Sequence, residues 1–115
     1  MSEPEAPNLA AVVEAAVDQL KGVDRRPTGA AIEWSTNGIT FAAIGPDLAE
    51  FRLARPVVEA ALRTPGTIRS GRGPDWVGFR PAELDQHAID RAAAWVASAW
   101  RRADSEGRSG PGLRT

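Results

Sequence analysis

Apolar residues near the start recur at intervals of three and four: Leu9, Val12, Val13, Ala16, Val17 and Leu20. That spacing lines one face of a helix. Asn8 stands where a side-chain oxygen can accept an orphan backbone N–H, and Gly22 suits the left-handed position after a last turn. Asp24 to Gly29 reads as a connector. The period then changes to two. Ala30, Ile32 and Trp34 alternate with Ala31, Glu33 and Ser35, and Asn37-Gly38 follows. Both residues of that pair tolerate positive φ, so the pair predicts a hairpin turn. Ile39 to Ile44 forms the returning strand. Gly45-Pro46-Asp47 is a second turn, and Leu48 to Leu53 a third strand with Phe51 and Leu53 facing the core.

Arg55-Pro56 marks the next boundary, because proline at the beginning of a helix sacrifices no intrahelical hydrogen bond. Val57, Val58, Ala61 and Leu62 support a short helix ended by Pro65-Gly66. Thr67 to Ser70 is a weak strand, Gly71 to Pro74 a loop, and Asp75 to Phe79 a short strand carrying Trp76. Asp85 is placed to cap a helix whose apolar face is Ala88, Ile89, Ala92, Trp95, Val96 and Ala99. The expected architecture is α+β: an antiparallel sheet of four to five strands with three helices packed mainly on one face. Residues 8–102 make a single domain, between a disordered N-terminus (1–7) and a disordered Gly- and Ser-rich tail (103–115).

A chain of 115 residues is long enough for one core. It has no cysteine, which excludes disulfides and thiolate zinc sites and fits a cytoplasmic location. No apolar run approaches the roughly 20 residues of a membrane span, so no membrane partner is expected. The net charge of -1 hides an uneven distribution. Glu3, Glu5, Glu14, Asp18 and Asp24 face one base, Lys21, in the first stretch. Arg52, Arg55, Arg63, Arg69, Arg72 and Arg80 face only Glu59 and Asp75 in the middle.

Arg69-Ser70-Gly71-Arg72-Gly73 is the most suggestive segment. Glycines expose backbone N–H groups, and arginines bind anion oxygens in pairs. With Arg55, Arg63 and Arg80, it forms a candidate surface for phosphate or nucleic acid. It matches neither a P-loop nor a dinucleotide fingerprint. His87, the single histidine, reads as a surface residue of the last helix. Glu33 and Glu50 lie on different strands of the meander and can share a face. Trp34, Trp76 and Trp95 read as packing residues. Trp100 lies off the apolar stripe, and exposure there would make it a contact for a protein partner or a second copy. No motif asks for a cofactor, and no catalytic constellation stands out.

The β-meander ending in Leu48-Ala49-Glu50-Phe51-Arg52-Leu53, the short helix after Arg55-Pro56, the strand Trp76-Val77-Gly78-Phe79 and the closing helix from Asp85 resemble the small bacterial luciferase-domain proteins. More distantly they look like the MmcQ/YjbR-type domains. The resemblance implies an α+β fold. It brings no catalytic set, so the function expected is that of a non-enzymatic binding or accessory module.

Overall fold

The computed structural model describes residues 8–108. The elements run α1 (Leu9–Val17), β1 (Asp24–Thr28), β2 (Ala31–Thr36), β3 (Ile39–Ile44), β4 (Ala49–Arg52), α2 (Arg55–Ala61), β5 (Thr67–Arg69), β6 (Trp76–Phe79) and α3 (Gln86–Arg108). The strands form one six-stranded sheet in the order β1-β2-β3-β4-β6-β5, every neighbour antiparallel. The fold is therefore α+β, as the periodicities predict, with more strands than the four to five expected.

The additional strand is β1, in the stretch read as a connector. Gly29, at φ 60°, and Ala30 turn the chain so that Thr28 pairs with Ala31. A glycine at the first position of a two-residue loop is a hairpin signal in its own right. The apolar period hides the strand, because all five residues of β1 are exposed. The next turn behaves as predicted: Asn37 and Gly38 adopt φ of 54° and 78°.

Register divides the sheet into two faces. The rows Ile32–Ile44–Ala49–Phe79 and Trp34–Ala42–Phe51–Val77 lie on the face covered by α1 and α3. Trp34, Phe51, Val77 and Phe79 are buried there with Val13, Phe41, Leu53 and Val96. Trp95 of α3 meets Phe79 edge-to-face with ring centroids 5.1 Å apart. Burying each such side chain contributes about 1.5–3 kcal/mol. Ala88, Ala92, Ala99 and Ala103 are buried along the same stripe of α3, and their small size lets the helix lie close to the sheet.

The last helix runs further than expected. α3 runs through Arg108, so residues 103–108 are helical. Ala103 extends the buried stripe by one turn, and ion pairs Arg102–Glu106 and Asp104–Arg108 at spacing i,i+4 support the end. The terminal segments 1–7 and 109–115, read as disordered, lie outside the described residues. No helix among the described residues is long and apolar enough to cross a membrane.

Candidate functional site

On the sheet face opposite the helices, one row crosses all six strands: Arg26, Glu33, Ala43, Glu50, Gly78 and Ile68. Alternation sends these side chains away from the core. Glu33 and Glu50 stand on either side of Ala43, and the loop between β5 and β6 folds over them. Arg72 donates from Nε to Glu50 Oε1 at 2.8 Å and from Nη1 to Glu33 Oε2 at 2.9 Å. Its guanidinium carbon also lies 5.2 Å from the centroid of the Trp76 ring. Ser70 Oγ donates to Glu50 Oε2 at 2.5 Å and accepts from the Arg72 backbone N–H at 3.1 Å.

Ala43 permits this arrangement. Its methyl group leaves room for a guanidinium above it, and it is only 1% exposed although it lies on the face opposite α1 and α3. The hydrogen bond from Arg72 is the main reason that the Glu33 carboxyl is held below its ordinary range. Partial burial opposes the shift, and Arg26 assists it.

A second network closes one end of the domain. Arg102 donates to Leu53 O at 2.5 Å and to Asp75 Oδ2 at 2.9 Å, and it pairs with Glu106. Arg52 donates to Glu106 Oε1 at 2.6 Å, and Arg55 pairs with Asp75 at 3.3 Å. The Asp75 carboxyl is lowered chiefly by the Arg102 hydrogen bond, and that of Glu106 chiefly by the Arg52 hydrogen bond.

The candidate anion-binding residues therefore divide. Arg72 and Ser70 are brought together, but by Glu33 and Glu50, so the loop is a neutralised cluster rather than an open anion cradle. Arg55 is turned to Asp75. Arg63, Arg69 and Arg80 are exposed and have no carboxylate at ion-pair distance among the described residues. Trp100 is not the free surface aromatic that a partner contact would use. It is half-buried against the core, and its indole Nε1 donates to Lys21 O at 3.1 Å, tying α3 to the chain after α1.

The opposite end holds a grouping that the linear sequence does not reveal. The α2–β5 turn, the β6–α3 linker and the first turns of α3 line a cleft of about 410 Å³ with Thr64, Arg80, Glu83, Asp85, His87 and Arg91. The Arg80 backbone N–H donates to Gly66 O at 2.8 Å, which fixes the linker against the turn. Arg91 reaches Thr64 Oγ1 at 3.4 Å and lies 5.8 Å from the Trp95 ring centroid. Asp85 Oδ1 accepts the Ala88 N–H at 2.9 Å, the predicted cap. His87 is exposed at the mouth. Arg91 could have been noticed as the basic residue off the apolar face of α3, but its place in one cleft with Arg80 depends on the tertiary path of the linker. Among the described residues no three His, Asp or Glu side chains gather as metal ligands. Compared with known proteins, the chain matches no family model, no curated protein and no solved structure.

Proposed function

We propose that this chain is a non-enzymatic binding module of the cytoplasm that takes a small anionic ligand, a carboxylate or phosphate, in the cleft around Arg80 and Arg91. One observation carries the reading. Arg80 and Arg91 both line the cleft, with Thr64, His87, Glu83 and Asp85, and neither arginine has a carboxylate at ion-pair distance among the described residues. Guanidinium groups in a partly enclosed site are suited to bidentate recognition of planar or tetrahedral oxyanions.

The chemistry of the acidic residues supports binding over catalysis. Glu33 and Glu50 share a face, as a carboxylate pair for acid–base work would, but Arg72 bridges them. Glu33, whose carboxyl is held below its ordinary range by the Arg72 hydrogen bond, is a poor proton donor and a weak base. The broader nucleic-acid reading through Arg55, Arg63, Arg69, Arg72 and Arg80 loses two of its five arginines to internal pairs. The kinship proposed with luciferase-domain proteins rests on the order of meander, α2, Trp76-Val77 strand and α3, and it supplies no ligand.

The test is an amide-resolved titration of the labelled protein with inorganic phosphate, acetate and a short oligonucleotide, each at low and high salt. The reading expects shifts confined to residues 64–66, 80–88 and Arg91, lost in Arg80→Ala. Shifts that instead centre on residues 69–73, or no shifts with either small anion, overturn it.

A further inference from the structure

The two edges of the sheet are treated differently. At the β1 edge, Thr28 and Ala31 flank a two-residue turn and form a hydrogen-bonded pair. By alternation Arg26 and Asp24 also bond inward, and Arg25 and Pro27 face outward. Pro27 has no N–H, so this edge lacks one of its two outward donors, a recognised way of blocking strand addition.

The β5 edge carries no such block. Arg80 N–H donates to Gly66 O at 2.8 Å, and Ser70 N–H donates to Trp76 O at 3.3 Å. Residues 66 and 70 thus bond inward, and Ile68, opposite Gly78, does so by the same parity. Thr67 and Arg69 therefore face outward. The Thr67 N–H bends to Thr64 O at 3.3 Å, which leaves the Arg69 N–H and the carbonyls of Thr67 and Arg69 along the edge. Beside them Ile68, 49% exposed, is the exposed large hydrophobic residue among the described residues.

We propose that β5 pairs antiparallel with β5 of a second copy of this chain, about a two-fold axis through Ile68. The pattern is self-complementary. Ile68 lies directly opposite Ile68 of the partner subunit, at a non-hydrogen-bonded position where side chains approach most closely. The Arg69 N–H donates to the carbonyl of Thr67 of the partner subunit, and symmetry repeats the bond without using the Thr67 N–H. The charges are compatible as well, since Arg69 meets neutral Thr67 rather than another arginine. A two-fold axis closes the assembly at two copies, and Pro27 guards the remaining edges against further growth. So short a strand buries less than the roughly 1,200 Å² of a standard stable interface, so the dimer exchanges with monomer at micromolar or higher concentration.

Sedimentation of the full chain from low micromolar to millimolar concentration tests the pairing, with far-UV circular dichroism to check each variant's fold. The wild type shifts from monomer to dimer across the series. Ile68→Glu weakens the dimer by roughly tenfold or more by placing two carboxylates at the axis. Arg69→Pro does so independently, because it removes the outward N–H as Pro27 does and leaves the inward ladder intact. Arg69→Ala keeps the N–H and the dimer. A wild type that stays monomeric at millimolar concentration, or a dimer that survives both Ile68→Glu and Arg69→Pro in folded protein, overturns the proposal.

Discussion

Gly107, in the last turn of α3, lies so close to Asn37 in the β2–β3 turn that a Cβ at position 107 would collide with the Asn37 side chain. A residue that is poor in a helix interior is required there by a neighbour 70 positions away in sequence. Asn37 is fixed in its own right by φ 54° and cannot move aside without disturbing the hairpin. Gly107→Ala therefore destabilises the domain by about 1–2 kcal/mol despite the better helix former. Adding Asn37→Gly removes the obstructing side chain at a position that accepts glycine. The double variant should regain the loss, and denaturant melts of the two singles and the double measure the coupling.

The Arg72 cluster predicts a coupling of the same sign but of electrostatic rather than steric origin. Glu33 and Glu50 retain only 17% and 18% side-chain exposure, and Arg72 29%. Arg72→Ala leaves two carboxylates facing each other on a partly desolvated surface and costs about 1–3 kcal/mol. Glu33→Gln alone costs less, because Arg72 still holds Glu50. In the Arg72→Ala background, Glu33→Gln becomes stabilising, since it removes the repulsion. A double-mutant cycle that comes out additive would mean that the bridge contributes nothing to stability.

The sequence was most informative where a residue's role is local. Asn8, Asp85 and Asn37-Gly38 act within a few positions of themselves, and each cap or turn stands where the chemistry of that side chain places it. The core face of the sheet was legible too, because Trp34, Phe51 and Phe79 alternate with polar neighbours. β1 was not, because an exposed edge strand has no buried side to create an alternation. The end of α3 was missed for a related reason. Gly107 and Ser105 resemble tail composition, while the Ala103 contact and the Glu106 bond to Arg52 exist only after folding. Composition marked the Arg69–Gly73 loop as an anion cradle. It could not show that register brings Glu33 and Glu50 together beneath it.

Three carboxyls, those of Glu33, Asp75 and Glu106, are held below their ordinary values by arginine hydrogen bonds. The sign follows from linkage. A carboxyl with a lower pKa in the folded chain binds fewer protons there than in the unfolded chain, so its contribution is complete above the unfolded pKa. That contribution is lost as the pH falls through the folded value. Stability should be flat near neutrality and fall below roughly pH 4. Arg72→Ala should reduce the part of the acid sensitivity that belongs to Glu33 and raise the Glu33 pKa. Carboxyl-detected NMR titration reads that value directly, and an unchanged Glu33 pKa in the variant would disconnect it from Arg72.

Arg102 is the point where the second network meets the backbone. Its guanidinium satisfies the Leu53 carbonyl at the end of β4 and holds Asp75 at the beginning of β6, while Nε pairs with Glu106 one turn along α3. Arg102→Lys keeps the charge but cannot present the planar fork that reaches a carbonyl and a carboxylate together. The Leu53 carbonyl then loses its donor, and the expected cost is about 1–2 kcal/mol. Arg102→Met should cost at least as much, since it removes the charge as well. The damage should be local, because Leu53, Asp75 and Glu106 share one end of the sheet while the Arg80 cleft lies at the other. Amide exchange should quicken around 52–55 and 75–76 and stay unchanged at 64–66 and 80–88. Equal acceleration at both ends would mean that Arg102 holds the whole fold rather than one end of it.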